Sequence, residues 1–286
     1  MSRALTTFIL LLLALVAFAA NSVFARLALL DTAIGPWSYS FIRLCSGALV
    51  LLIIVGPKST QTGGSWKGAF ALVVYAVFFS YAYLMLGAGT GALILFAVVQ
   101  LTMLSFGFLK GERLDFIRWF GFGLAISGLI YLMAPSVEAP SLGGSLLMAA
   151  SGLGWGIYSI LGQKTGSPII QTSGHFSRAV LILLVLSLPV LMYQPENMPT
   201  LFGISLAVAS GALTSAVGYV IWYRTLKDIT LTQAAISQLS VPVIAALGGM
   251  VFISEPITLR FFISSMLILI GIAISTLYQK RAKASR

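Results

Sequence analysis

Among its 286 residues the chain has seven acids, one histidine and one cysteine. The lone Cys45 excludes an intrachain disulfide and a cysteine-rich metal site. No glycine-rich loop leads into Lys-Ser or Lys-Thr, so the chain carries no ATP motor. There is no His-Glu-x-x-His helix, no Gly-x-Ser-x-Gly elbow and no evident nucleophile–base pair. The expectation is a non-enzyme that needs no metal and no cofactor. A lipid-modifying membrane enzyme is the alternative from another class, and it lacks a catalytic constellation. Charged residues of either sign are scarce, at 8% against roughly 25% in a soluble domain.

What is abundant is apolar: 59% of the residues. Lipid cannot satisfy backbone N–H and C=O groups, so a spanning chain is helical or a closed barrel. The apolar runs are about 17–25 residues, which is helix length, whereas barrel strands are about 9–11. They predict ten spans, near 5–30, 34–55, 67–87, 90–109, 116–134, 142–161, 169–192, 201–224, 230–253 and 259–278. No long soluble segment remains between them. The stretch Arg3 to Ala20 also has the form of a signal peptide. The apolar run resumes past its small-residue site, through Val23, Phe24 and Leu27–Leu30, which favours a retained first span.

The pattern repeats after half the length. Gly91–Met133 and Ala234–Thr276 align without a gap, each holding a span, a Glu at the turn (Glu112, Glu255) and a second span with a late glycine (Gly128, Gly271). Five spans per half is an odd number, so the halves 1–140 and 141–286 would enter the membrane from opposite sides. Such inverted repeats are typical of secondary transporters with a substrate site between the halves. The fold class expected is all-α, polytopic, with ten transmembrane helices as two inverted five-helix repeats.

The net charge of +10 is sorted by loop. Arg3, Lys58, Lys67, Lys110, Arg113, Arg118, Lys164, Arg224, Lys227 and the tail Lys280, Arg281, Lys283 and Arg286 fall on one side. Arg260 and the acids Asp31, Glu138, Glu196 and Glu255 fall on the other. This positive-inside pattern puts both termini in the cytoplasm. It accounts for the basic excess without nucleic acid, and leaves lipid headgroups as its contact.

No Asp or Glu sits in the middle of a span, so the usual carboxylate proton carrier is missing and facilitated transport is expected. Arg43 in span two and Arg178 in span seven occupy equivalent places, each after a Phe-x pair. They either contact an anionic substrate group or tie to backbone carbonyls. Arg26, near the end of span one, is expected to snorkel outward. His175 lies one helical turn before Arg178; it is a proton relay or a satisfied polar residue.

Aromatic residues recur at helical spacing: Tyr75, Phe78 and Phe79 on span three, Trp155 and Tyr158 on span six, Tyr219, Trp222 and Tyr223 on span eight. They either wall a cavity for flat solutes or form interfacial belts, a belt suiting Trp222 and Tyr223 best. Gln100, Gln238 and Ser240 offer polar contacts beside them. Pro242 interrupts span nine and marks a hinge or a packing kink. Glycines in spans five, six and eight, among them Gly121, Gly123, Gly128 and Gly211, allow close helix contact.

These residues resemble the ten-helix drug/metabolite transporter superfamily of the EamA type, over essentially the whole chain. The match is carried by Tyr219–Tyr223, Leu226-Lys227, Thr230–Ser237, Val241-Pro242-Val243, Ser254-Glu255-Pro256, Gly271, Pro36 to Arg43 and Trp155-Gly156. The first half departs from the pattern: the usual Trp-Gly of span one is replaced around Ala19–Asn21, and Val99 stands opposite Pro242. The resemblance implies a cavity made by spans one, three, four, six, eight and nine. Within the superfamily the chain looks most like bacterial aromatic amino-acid exporters, without a diagnostic motif.

The function expected is export of neutral or aromatic amino acids and similar metabolites by alternating access. A drug or quaternary-amine exporter is the alternative within transport. Nothing in the chain sets the oligomeric state. Topology gives the first test. In a Cys45→Ser background, cysteines at Ser59 and Ser285 should resist impermeant reagents applied to intact cells, and one at Ser141 should react. Labelling at Ser285 from outside would overturn ten spans.

Overall fold

A computed structural model describes residues 3–110, 115–162, 167–193, 196–229 and 231–284. Glu112, Arg113, Lys164, Thr230, Ser285 and Arg286, used above for turns, charge sorting or labelling, lie outside the described residues, as do the side chains of Lys280, Arg281 and Lys283.

The helices are α1 (Arg3–Asp31), α2 (Pro36–Val55), the short α3 (Ser59–Thr62), α4 (Trp66–Tyr83), α5 (Ala88–Leu109), α6 (Phe116–Met133), α7 (Leu142–Gly162), α8 (Pro168–Tyr193), α9 (Leu201–Ala209), α10 (Gly218–Thr225), α11 (Leu231–Gln238), α12 (Val241–Ile253) and α13 (Leu259–Ala284). Between α9 and α10 the chain winds as a π-helix, Ser210–Val217, so that Leu201–Thr225 forms one continuous span. Among the described residues, nine helices are long and apolar enough to cross a membrane. The ninth predicted span is instead two short helices, α11 and α12. Ala17–Ala20 lies inside α1, which runs through it without a break.

Local chemistry sets several helix starts. Ser65, Asp115 and Thr200 are N-caps whose side-chain oxygens accept from the backbone N–H groups of Gly68, Arg118 and Gly203, as short polar side chains do at helix starts. Pro36 opens α2 with its φ already helical. Pro242 lies in the first turn of α12, where a missing N–H costs little. The break falls just ahead of it, at Leu239–Ser240, and the Ser240 hydroxyl donates to the Ser237 carbonyl at 2.7 Å.

Outward-facing Val185, Leu188 and Phe116 are strongly exposed, as lipid contact requires. Inside, α4 packs on α7 and the Leu201–Thr225 span packs on α1. Likewise α5 meets α7 and α12 meets α1, while α2 faces α8, α5 faces α12 and α6 faces α13. Two sequence expectations change here. Arg26 does not snorkel: its Nε pairs with Glu255 at 2.9 Å and its Nη1 donates to the Tyr83 carbonyl at 2.8 Å. A carboxylate and a backbone carbonyl within hydrogen-bond distance hold it in place. Ser59 is buried and hydrogen-bonded to Ser173, so the exposed Thr62 is the position at which a cysteine reports sidedness on that loop.

The α6–α13 pair depends on glycine at two facing positions. A Cβ on Gly121 would lie 2.6 Å from the Gly271 carbonyl oxygen, and one on Gly271 would lie 2.6 Å from the Ala125 nitrogen. Around Gly123 nothing comes within 4 Å, so that glycine makes no close helix contact. Overpacking a close contact costs typically 1–3 kcal/mol. Gly121→Leu and Gly271→Leu should therefore melt earlier in detergent than the parent by thermal size-exclusion assay. Gly123→Leu should melt with the parent.

Candidate functional site

Tyr75 lies on α4 with its hydroxyl at the centre of a polar knot. It accepts from Asn21 Nδ2 of α1 at 3.2 Å and from Arg43 Nη2 of α2 at 2.8 Å. Asn21 Oδ1 in turn accepts from the Ser210 hydroxyl in the π segment, and Thr214 Oγ1, which donates to the Ser210 carbonyl at 2.7 Å, lies 3.3 Å from it. Arg43 Nε reaches Ser215 Oγ at 3.4 Å. Four spans are thus stitched together at membrane depth. A π-helix widens the turn by one residue, and such segments are frequent at functional sites. Here it lets Ser210, Thr214 and Ser215 all face α1 and α2. The approach is close: a Cβ on Gly211 would fall 2.0 Å from the Arg43 carbonyl oxygen.

Arg43 is 1% exposed. Its guanidinium lies 5.1 Å from the centre of the Tyr75 ring and 4.8 Å from that of Phe79, within cation–π range. Arg178 is occupied differently. Its Nη1 donates to the carbonyls of Gly63 and Gly174 at 2.7 and 3.0 Å. That fastens the α3–α4 turn, where Gly64 has a positive φ of 78°.

Beside the knot is a cavity of about 330 Å³. Of the residues singled out in the sequence, it is lined by Tyr75, Phe79, Trp155, Tyr158, His175, Tyr219 and Gln238. Arg43 stands behind Tyr75 and Phe79 rather than on the wall. Gln100, Ser240, Pro242 and Arg178 are also off the wall. Phe78 faces a separate groove with Trp37 and Pro189. The sequence reading passed over Phe18, Asn21, Gln171 and Thr172, and it favoured a belt for Trp222 and Tyr223; all six line the cavity. Asn21 could have been found as an amide well inside an apolar span. Trp222 and Tyr223 were visible as rings at helical spacing, and Phe18, Gln171 and Thr172 carried no signal beyond apolar or polar type.

The wall is a continuous aromatic array. Trp155 stacks on Tyr158 with centroids 5.1 Å apart and on Tyr219 at 5.5 Å, and it meets Tyr75 at 4.8 Å in a tilted pair. His175 sits edge-on to Tyr158, its Nδ1 3.4 Å from the tyrosine hydroxyl. Thr172 bonds the Tyr223 hydroxyl at 3.2 Å. No carboxylate is among the lining residues. The cavity runs from Asn21 and Phe79 at mid-depth to Pro168, Leu226 and Ser159, near the helix ends that carry the basic loops.

Toward the opposite helix ends, two acids tie helix starts together. Glu196 accepts from the backbone N–H groups of Trp37 and Ser38 at 2.8 and 3.0 Å, capping α2. Glu255 accepts from the Ala88 N–H at 2.7 Å, capping α5, while it pairs with Arg26. Each carboxylate meets the positive end of a helix dipole. Both come from the second half of the sequence and clamp helices of the first.

The fold is that of a polytopic helical membrane protein with an aromatic cavity enclosed between its helices. The pattern of the EamA-like transporter family matches residues 5–134 and again 142–277, so the chain belongs to that family of transporters. An uncharacterised protein of Pseudomonas aeruginosa is 45% identical over 94% of this chain and 93% of its own length. An uncharacterised transporter of Archaeoglobus fulgidus is 28% identical over 78% of this chain and 82% of its own. A probable terminal-alkyne amino-acid exporter of Streptantibioticus cattleyicolor is 23% identical over 77% of each. A crystal structure 19% identical superposes with a TM-score of 0.65, over 99% of this chain and 100% of that one, a likeness of fold alone.

The Arg26–Glu255 pair predicts how its end of the molecule is held. In a Cys45→Ser background, a cysteine at buried Ser22 should label slowly from the Glu255 side. Adding Glu255→Gln removes the charge while keeping the shape, and should raise that rate a few-fold, since a helix-end charge of this kind is worth about 0.3–2 kcal/mol. An unchanged rate would show that the pair does not hold the end shut.

Proposed function

We propose that this chain is a facilitative exporter of neutral and aromatic amino acids and similar small metabolites. It resides in the bacterial inner membrane with both termini in the cytoplasm. Its halves, 1–140 and 141–286, act as two inverted five-helix repeats, with α11 and α12 together forming the ninth span. The main helix pairings support this arrangement: exchanging the halves turns α4 on α7 into the Leu201–Thr225 span on α1, and α5 on α7 into α12 on α1. With the basic loops inside, the cavity faces the cytoplasm, and alternating access requires the Arg26–Glu255 end to open.

The observation that carries this function is the aromatic wall. Trp155, Tyr158, Tyr219 and Tyr75 form one contiguous set of rings with no carboxylate among the lining residues. Rings stack on flat or apolar side chains, and the hydroxyls and amides between them suit a polar head. The amino-acid exporter among the relatives points the same way. A quaternary-amine substrate would also use the rings, but it would lack a carboxylate counter-ion. His175 lines the same cavity, and in a facilitator it serves as a polar wall residue.

Proteoliposome counterflow tests this function. The reconstituted protein should equilibrate phenylalanine and tryptophan without a pH gradient. Trp155→Ala should lower the apparent affinity for these solutes by a few-fold to about tenfold, the worth of about 0.5–1.5 kcal/mol for a ring pair, while alanine flux changes little. Absence of aromatic flux in the parent protein, with amines carried instead, would favour the amine exporter.

A further inference from the structure

We propose that the Asn21–Tyr75–Ser215 end of the cavity is a carboxylate subsite, and that the buried guanidinium of Arg43 is its counter-charge. The idea deepens the exporter function above by naming the group a substrate must carry.

Charge is the first observation. Arg43 is 1% exposed, and among the described residues no carboxylate lies within ion-pair distance of it. Nη2 and Nε have partners in Tyr75 and Ser215, but Nη1 is buried with none. Buried charges are ordinarily paired, because an unpaired one forfeits its hydration for nothing. Ionisable groups at membrane depth accordingly mark substrate or ion sites. Two aromatic faces soften the positive charge without cancelling it.

The proton count is the second. A phenol has one O–H and two acceptor lone pairs. Tyr75 Oη accepts from both Asn21 and Arg43, which fills the lone pairs and leaves its O–H as the group still to be placed. No acceptor takes that proton among the described residues, and Tyr75 lines the cavity. Ser215 Oγ likewise accepts from Arg43, has no acceptor for its own proton among the described residues, and lines the cavity. A hydroxyl that accepts from a cation becomes a stronger donor, because hydrogen bonds in a chain polarise one another.

The third is orientation. Ser210 donates to Asn21 Oδ1, so the amide presents its NH₂ to Tyr75. This end of the cavity therefore offers two hydroxyl donors with a positive charge behind them. A carboxylate fits that set; an ammonium does not. Trp155, against Tyr75, places an aromatic side chain within reach of the same end. Tyr75 and Ser215 would touch the carboxylate, and Arg43 acts through them as a positioning residue.

The test uses the full chain in proteoliposomes and a matched pair of competitors, 3-phenylpropionate and 3-phenylpropionamide, against phenylalanine counterflow. The parent protein should prefer the acid by at least about tenfold, the scale of a hydrogen bond to a charged group. Tyr75→Phe keeps the ring and removes the donor; it should lower the apparent affinity for the acid by about tenfold and move the amide by less than about twofold. Arg43→Gln should erase the acid preference and Arg43→Lys should keep part of it. If Arg43→Gln does not fold, Tyr75→Phe and Ser215→Ala decide the matter. Equal competition by acid and amide in the parent overturns the subsite, as do variants that weaken both competitors alike. Phenylalanine that is not transported at all sinks the exporter function instead. The subsite is then judged by quenching of tryptophan fluorescence on adding the same two compounds to the purified protein.

Discussion

A guanidinium held at membrane depth must be given acceptors by its neighbours, and the centre of this protein is arranged around where Arg43 finds them. The hydroxyl of Tyr75 comes from α4, that of Ser215 from the π segment, and Asn21 of α1 bonds Tyr75 on one side and Ser210 of the π segment on the other. Lipid offers none of these groups, so the four spans have to meet at one depth. The close pass of Gly211 over the Arg43 carbonyl follows from the same demand. The extra residue of the π turn is what brings three hydroxyl-bearing side chains to the face where they are needed.

The two ends of the molecule use charge in opposite ways. On the acidic side Glu196 and Glu255 take up backbone N–H groups at the starts of α2 and α5, and Arg26 completes the second clamp. Those groups would otherwise be orphaned at a helix end. On the basic side the cavity reaches the helix ends between hydroxyl and amide groups. One end is therefore tied by specific polar and ionic contacts beside buried apolar residues such as Ala28, Leu29, Ile34 and Leu86, and the other is lined by rings and small polar groups.

The aromatic wall is ordered by its own ring contacts. Its rings are packed against one another, which fixes their planes before any solute arrives and reduces the ordering cost of binding. Trp155 is the hinge of this array, since it touches rings from α4, α7 and α10. It is also only half-buried, whereas Tyr158 and Tyr219 are buried. An exchangeable face is thus offered by the ring that the others hold still.

The helical class, the number and length of most apolar runs, and the sorting of basic residues by loop were legible in the sequence, because lipid imposes length and polarity on each span separately. The spacing of Tyr75 with Phe79, Trp155 with Tyr158, and Tyr219 with Tyr223 put rings on common helix faces, and those six all line the cavity. Other features depend on how spans meet, which no single span records. Phe78 sits one position before Phe79 and faces a different groove. Arg43 and Arg178 occupy equivalent places in the two halves, yet one joins the polar knot and the other fastens a turn. Asn21 lacked a partner in its own helix, and its partners Tyr75 and Ser210 come from two other spans. Glu255 and Arg26 are 229 positions apart, so their pairing came from the packing of α1 beside α12. Periodicity within a helix determined which residues share a face. Only the tertiary structure decided which face looks onto the cavity, because that depends on the neighbours each buried polar group has to reach.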